Sequence, residues 1–159
     1  MRRTAARRFA LLGALAVIWS ATVVWAGGQD WNDSSIQWMS YDAGLAEAKK
    51  TDKPICLIFY TTWCPHCTNY SKVFSDPEVV KKSKSFVMIR LDKDQNKELS
   101  KQYAPDGEYI PRTLFLSPDG KLDAGLTEAR PQYKYFYDEK NPAAILGGMD
   151  RALKQFGKS

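Results

Sequence analysis

The sequence predicts an α/β domain: a central mixed sheet with helices on both faces. Three observations predict it. Apolar runs of strand length at residues 55–60, 86–91 and 113–116 alternate with stretches of helical pattern, which is the order of a parallel sheet with crossover helices. Residues 55–60, ICLIFY, form an unbroken apolar run, as expected of a strand buried on both faces. The run at 113–116 is followed by the turn Ser117-Pro118-Asp119-Gly120 and then by Lys121-Leu122-Asp123, which reads as a hairpin adding antiparallel strands. The chain has 159 residues with 44% hydrophobic and 26% charged content, enough for one globular domain and unlike a disordered chain.

The elements follow in order. Residues 27–35 are a polar lead-in, and Ile36-Gln37-Trp38 forms a short edge strand. Ser40 is placed to cap a helix through Lys50, with Leu45, Ala46 and Ala48 as its apolar side. Thr51-Asp52-Lys53-Pro54 ends that helix before the 55–60 strand. A helix then runs from Cys64-Pro65-His66-Cys67 to about Phe74, since Pro65 suits a first helical turn. Ser75-Asp76-Pro77 caps a second short helix or a continuation of the first. After the strand at 86–91, residues 95–103 are helical and Pro105-Asp106-Gly107 is a loop. Residues 125–139 make a longer tyrosine-rich loop, and Asn141 caps a final helix that starts at Pro142. No internal repeat or low-complexity tract is present.

The N-terminus reads as a secretory signal over residues 1–26. Arg2, Arg3, Arg7 and Arg8 precede an apolar run from Phe9 to Trp25, and Val24-Trp25-Ala26 fits a small-residue cleavage site. The alternative is an uncleaved anchor, since the run is at the lower end of what spans a bilayer. Contact with a membrane is expected only in that case. The net charge of +5 is mostly this leader: without its four arginines, 19 basic residues face 18 acidic ones. A near-neutral domain gives no basis for nucleic-acid binding, which needs a clustered basic footprint.

Cys64 and Cys67 carry the chemistry. At a helix start, unpaired backbone N–H groups point at the first sulfur and favour its thiolate, lowering the pKa below the free value of about 8.5. The three-residue offset places Cys67 one turn later on the same side, within bridging distance. Cys64 is therefore expected to attack a substrate disulfide and Cys67 to resolve the mixed disulfide. His66, the one histidine, lies between them, and a partly protonated ring would favour the thiolate further. Pro65 and His66 are thus the tuning residues. A zinc site is disfavoured, because four ligands are hard to assemble from these residues; no metal and no cofactor are expected. A purely structural disulfide is the other alternative. Cys56, inside the apolar strand, reads as an inert core thiol. Trp63 is expected in an apolar collar beside Cys64.

The strand-Trp63-Cys64-Pro65-His66-Cys67-helix arrangement resembles the thioredoxin superfamily over most of residues 36–156, which implies the thioredoxin fold for the domain at 36–159. Tyr109-Ile110-Pro111-Arg112-Thr113-Leu114-Phe115-Leu116, then Pro118, Gly120 and Lys121, and Tyr133-Lys134-Tyr135-Phe136-Tyr137 are similar to the anterior-gradient and thioredoxin domain-containing protein 12 group. The resemblance implies a disulfide oxidoreductase acting on exported polypeptides that carry thiols or disulfides, recharged by a redox partner the sequence does not identify. It also implies a cis bond at Ile110-Pro111, with a backbone edge beside Cys64 for an extended substrate; Trp63, Ile110 and Pro111 are the substrate-binding expectation.

Two departures matter. Pro-His between the cysteines is the dipeptide of DsbA-type oxidants rather than of the group, which predicts a couple more oxidising than thioredoxin's. Ile58 stands where thioredoxins carry a buried aspartate that helps move the resolving proton. The chain ends in Gln155-Phe156-Gly157-Lys158-Ser159 without a KDEL-type signal, so a periplasmic or secreted location is favoured over the endoplasmic-reticulum lumen. Two other functions compete with a dithiol oxidase or isomerase. One is a periplasmic reductase; the other is a client-binding or chaperone module in which the cysteines are incidental.

Overall fold

The computed structural model describes residues 29–157; the leader at 1–26 lies outside them. Four strands form one sheet: β1 (Trp38–Met39), β2 (Ile55–Tyr60), β3 (Val87–Asp92) and β4 (Arg112–Leu116), in the order β1-β3-β2-β4. β3 runs parallel to β1 and to β2, and β4 is antiparallel to β2. The helices are α1 (Tyr41–Thr51), α2 (Pro65–Ser71), α3 (Pro77–Ser83), α4 (Lys97–Gln102) and α5 (Pro142–Phe156). A 3₁₀ turn, Lys72–Ser75, joins α2 to α3. The segment read as one helix to Phe74 is therefore tightened over its last turn before Asp76 starts the next helix.

Side-chain alternation along β2 divides the core. Cys56 and Ile58 face Tyr70, Phe74, Val79, Ile145 and Met149 from α2, the 3₁₀ turn, α3 and α5. Ile55, Leu57 and Phe59 face Ala48 of α1 and, with Tyr103, the opposite side. All five β2 residues are fully buried, which is why the run carries no polar interruption. Two caps act as the sequence implied. Asp76 accepts from the N–H groups of Glu78 and Val79, and Asn141 accepts from that of Ala143. Ser40 precedes α1, yet its hydroxyl makes no cap bond; only its carbonyl joins the helix, accepting from Gly44 at 2.9 Å. Gly44 itself is required by contact: a Cβ there would lie 2.5 Å from Ile89, so α1 and β3 pack backbone against side chain.

Two expectations are corrected. The lead-in from Gln29 onward packs onto the domain. Trp31 is 1% exposed and its ring meets Trp38, Tyr60, Tyr70 and Phe74 at centroid distances of 5.3–6.1 Å. The Arg90 guanidinium covers the same cluster, 5.2 Å from the Trp38 ring and 5.6 Å from that of Trp31. The hairpin also fails to become a fifth strand. After the turn at 117–120 the return chain makes one bridge, Leu116 to Leu122. Asp123 then accepts from the Gly125 N–H at 2.8 Å and its carbonyl from Leu126 at 3.2 Å, which turns the chain out of the sheet. The tyrosine-rich loop covers the open edge of β4 instead: the Thr113 N–H donates to the Tyr135 carbonyl at 2.8 Å.

Candidate functional site

β2 ends at Tyr60, and a four-residue turn, Thr61-Thr62-Trp63-Cys64, leads into α2, with the Cys64 N–H bonded back to the Thr61 carbonyl. Cys64 is the N-cap of α2 and Pro65 its first residue. In place of the usual oxygen, the Cys64 sulfur accepts from the Cys67 N–H at 3.4 Å. On its other side the sulfur lies 4.0 Å from the Ile110 carbonyl. Cys64 is 4% exposed, whereas Cys67 is fully buried one turn behind it. Burial pushes the Cys67 thiol well up, the hydrogen bond to Cys64 adds to this, and the Thr61 backbone N–H on its sulfur opposes it. Cys56, buried in β2 opposite Met88 and Phe115, is likewise held as a thiol by burial. Ile58, where a carboxylate would assist Cys67, is buried in the same apolar cluster as Cys67.

The other sequence-predicted residues distribute as follows. The Ile110–Pro111 peptide bond is cis; Pro111 is buried and Ile110 half-buried. Trp63 does not close over the sulfur as a collar. It is 68% exposed, and its indole N–H is held by Asp94 at 2.8 Å. His66 is exposed and turned toward the loop before α5, with Nδ1 2.7 Å from Glu139 and its ring edge-on to Phe136. The opposite oxygen of Glu139 accepts from Asn69 at 3.1 Å.

Several contributors escaped the sequence reading. Glu139 is 73 residues from the histidine it holds. Asp106 accepts from the Tyr109 hydroxyl at 2.7 Å and from the Lys134 N–H at 2.7 Å, and that hydroxyl accepts from the Tyr135 N–H, so the tyrosine-rich loop is tied to the segment before Ile110. Arg112 is fully buried beneath that segment and donates to the carbonyls of Gly107, Tyr109 and Ser100. The presence of Arg112 in an apolar strand run was the one available signal.

Thr61 offers a local test. Its hydroxyl is buried without a partner among the described residues. Replacing that hydroxyl with a methyl group removes a desolvation penalty, so Thr61→Val is expected to raise unfolding stability by about 1 kcal/mol. The check is the urea midpoint at unchanged slope; a loss of stability would mean the hydroxyl is satisfied in solution.

Two cysteines thus stand at a helix start on a thioredoxin-type sheet, Cys64 4% exposed and Cys67 sealed one turn behind it. A thioredoxin-like family model matches residues 37–118, and the chain belongs to that family. It is 31% identical over 125 residues to human anterior gradient protein 2 homolog, covering 78% of this chain and 70% of that one. A solved DsbH oxidoreductase shares 26% identity over 75% of this chain and 85% of its own, with a TM-score of 0.57. A thioredoxin from Thermus thermophilus has a TM-score of 0.60 at 24% identity, covering 77% of this chain and 91% of its own, and so shows the fold.

Proposed function

We propose that this protein is a thiol–disulfide oxidoreductase for exported polypeptides, with Cys64 as attacking sulfur and Cys67 as resolving sulfur, working as a dithiol oxidase or isomerase. One observation carries the reading: the Cys64 sulfur caps α2 by accepting from the Cys67 N–H, so the helix that Cys64 starts also brings the second cysteine to it. The Ile110 carbonyl beside Cys64 supports a substrate strand lying across that edge, and exposed Trp63 supports contact with its side chains. The DsbH oxidoreductase among the similar structures supports the chemistry. The leader supports a periplasmic or secreted site of action, with membrane contact only if it is retained. The redox partner is left open.

The preference for oxidation rests on the dipeptide Pro65-His66, as a positive charge beside Cys64 would stabilise the reduced couple and make the disulfide a better oxidant, while the ring itself is turned toward Glu139. Equilibrating the protein with mixtures of reduced and oxidised glutathione tests this. The expected potential lies above the thioredoxin value of about −270 mV, toward the DsbA value of about −120 mV. A result at the thioredoxin value favours the reductase and overturns the oxidase preference.

A further inference from the structure

Gln29 stands two residues before buried Trp31, ahead of every helix and strand among the described residues. Its side chain reaches the turn that carries the redox couple. Nε2 lies 2.9 Å from the Thr61 carbonyl, 3.2 Å from that of Cys64 and 3.3 Å from that of Thr62. The Trp31 indole N–H donates to Gln29 Oε1 at 3.3 Å, which sets the amide with its NH₂ group toward the turn. One side chain thus gathers three of the four carbonyls of the Thr61–Cys64 turn, and its own orientation is set by a residue 1% exposed. These carbonyls lie outside the sheet ladder; among the described residues the Cys64 N–H also bonds the Thr61 carbonyl and the Thr68 N–H and hydroxyl bond that of Cys64, and Gln29 is the side chain that ties all three together.

The turn matters because of what its first residue does. The Thr61 backbone offsets part of the effect of burial on the Cys67 thiol, and the Cys64 sulfur at the other end of the turn accepts from the Cys67 N–H at 3.4 Å. In the resolving step Cys67 must act as a thiolate in a buried, apolar place, with Ile58 where a carboxylate would help. The thiolate attacks the Cys64 sulfur of the mixed disulfide. A Cys64–Cys67 bond forms and the Cys64–substrate bond breaks. The electron pair leaves on the substrate sulfur, which takes up the proton that Cys67 gave up. The substrate disulfide is reduced and the protein dithiol oxidised, with no further reactant.

We propose that Gln29 is a positioning residue for this resolving step: it holds the Thr61–Cys64 turn so that the Thr61 backbone stays beside Cys67 and the Cys64 sulfur stays in line for attack. The inference rests on the reading of Cys64 and Cys67 as the redox couple. It also gives the lead-in a function that its polar composition does not suggest.

The test uses the full reduced chain and the chromogenic disulfide 5,5′-dithiobis(2-nitrobenzoate). The first nitrothiolate released reports attack by Cys64, and the second reports resolution by Cys67. Gln29→Ala removes the donor. Gln29→Glu keeps the shape and the Trp31 bond but presents an acceptor to the three carbonyls, so it decides the matter if Gln29→Ala does not fold. In both, the first release is expected to stay within about twofold and the second to slow about tenfold, the size of effect that loss of a buried donor produces. An unchanged second release in the folded variants overturns the proposal and leaves the redox couple standing. Equal slowing of both releases also overturns it, since that is the mark of a general loss of structure. No release from the unaltered protein overturns the redox reading itself.

Discussion

Replacing Cys67 with serine is expected to turn the protein into a trap that accumulates mixed disulfides through Cys64. Attack by Cys64 survives the change, because its sulfur keeps its place at the start of α2 and the residue 67 N–H is a backbone group. Release fails, because resolution comes from a sulfur one turn behind. Replacing Cys64 with serine removes the attacking sulfur, and the remaining thiols at 56 and 67 are buried and held protonated by burial. Turnover is expected to fall on the order of a thousandfold or more, as when a covalent nucleophile is lost. Non-reducing gels of the two variants incubated with a reduced and reoxidising client give the check. Covalent complexes with Cys67→Ser and none with Cys64→Ser are the expected pair. Full client binding by Cys64→Ser with no covalent complex from either variant would instead favour a client-binding module.

Loss of the buried arginine carries the second large effect. Arg112 lies opposite Phe59 in the sheet, with its guanidinium 4.8 Å from that ring, and it bonds the Gly107, Tyr109 and Ser100 carbonyls and the Ser100 hydroxyl. Burial lowers its pKa, and nearby Tyr109, Glu108 and Asp106 offset this in part. No carboxylate bonds it directly among the described contacts; backbone carbonyls do that work. Arg112→Met fills much of the volume but leaves those acceptors buried and unpaired, at about 3 kcal/mol or more after relaxation. Arg112→Lys keeps the charge without the planar fork and is expected to lose about half as much. Denaturant midpoints read both. Where Arg112→Met is still folded, KM for a disulfide substrate is expected to rise, because the segment from Gly107 to Ile110 loses its anchor. A change under 1 kcal/mol in Arg112→Met would mean that the tyrosine-rich loop holds this segment without help.

The parts of the fold that were legible share a local cause. The β2 strand announces itself because its first five side chains are all buried, and α3 and α5 because Asp76 and Asn141 satisfy N–H groups two or three residues away. The cysteine pair was legible for the same reason: a three-residue offset on a helix is a statement about geometry one turn long. Lys121-Leu122-Asp123 misled because strand pattern and turn were both present. What prevented a strand was Asp123 bonding Gly125 and the rival claim of Tyr135 on the β4 edge. Residues 27–35 misled in the opposite sense, since polar neighbours hid Trp31, whose burial depends on Phe74 and Tyr60 from distant elements.

The sequence alone therefore determined which two sulfurs meet, which strand lies at the centre of the sheet and where helices start, because all of these are settled within a few residues of chain. Only the tertiary structure decided that Gln29 bonds the Thr61–Cys64 turn, that Glu139 holds His66 and that Arg112 holds the segment before Ile110. Each joins partners distant in sequence or hidden by an apolar strand, and a hydrogen bond depends on separation in space, which chain order does not encode until the core has packed.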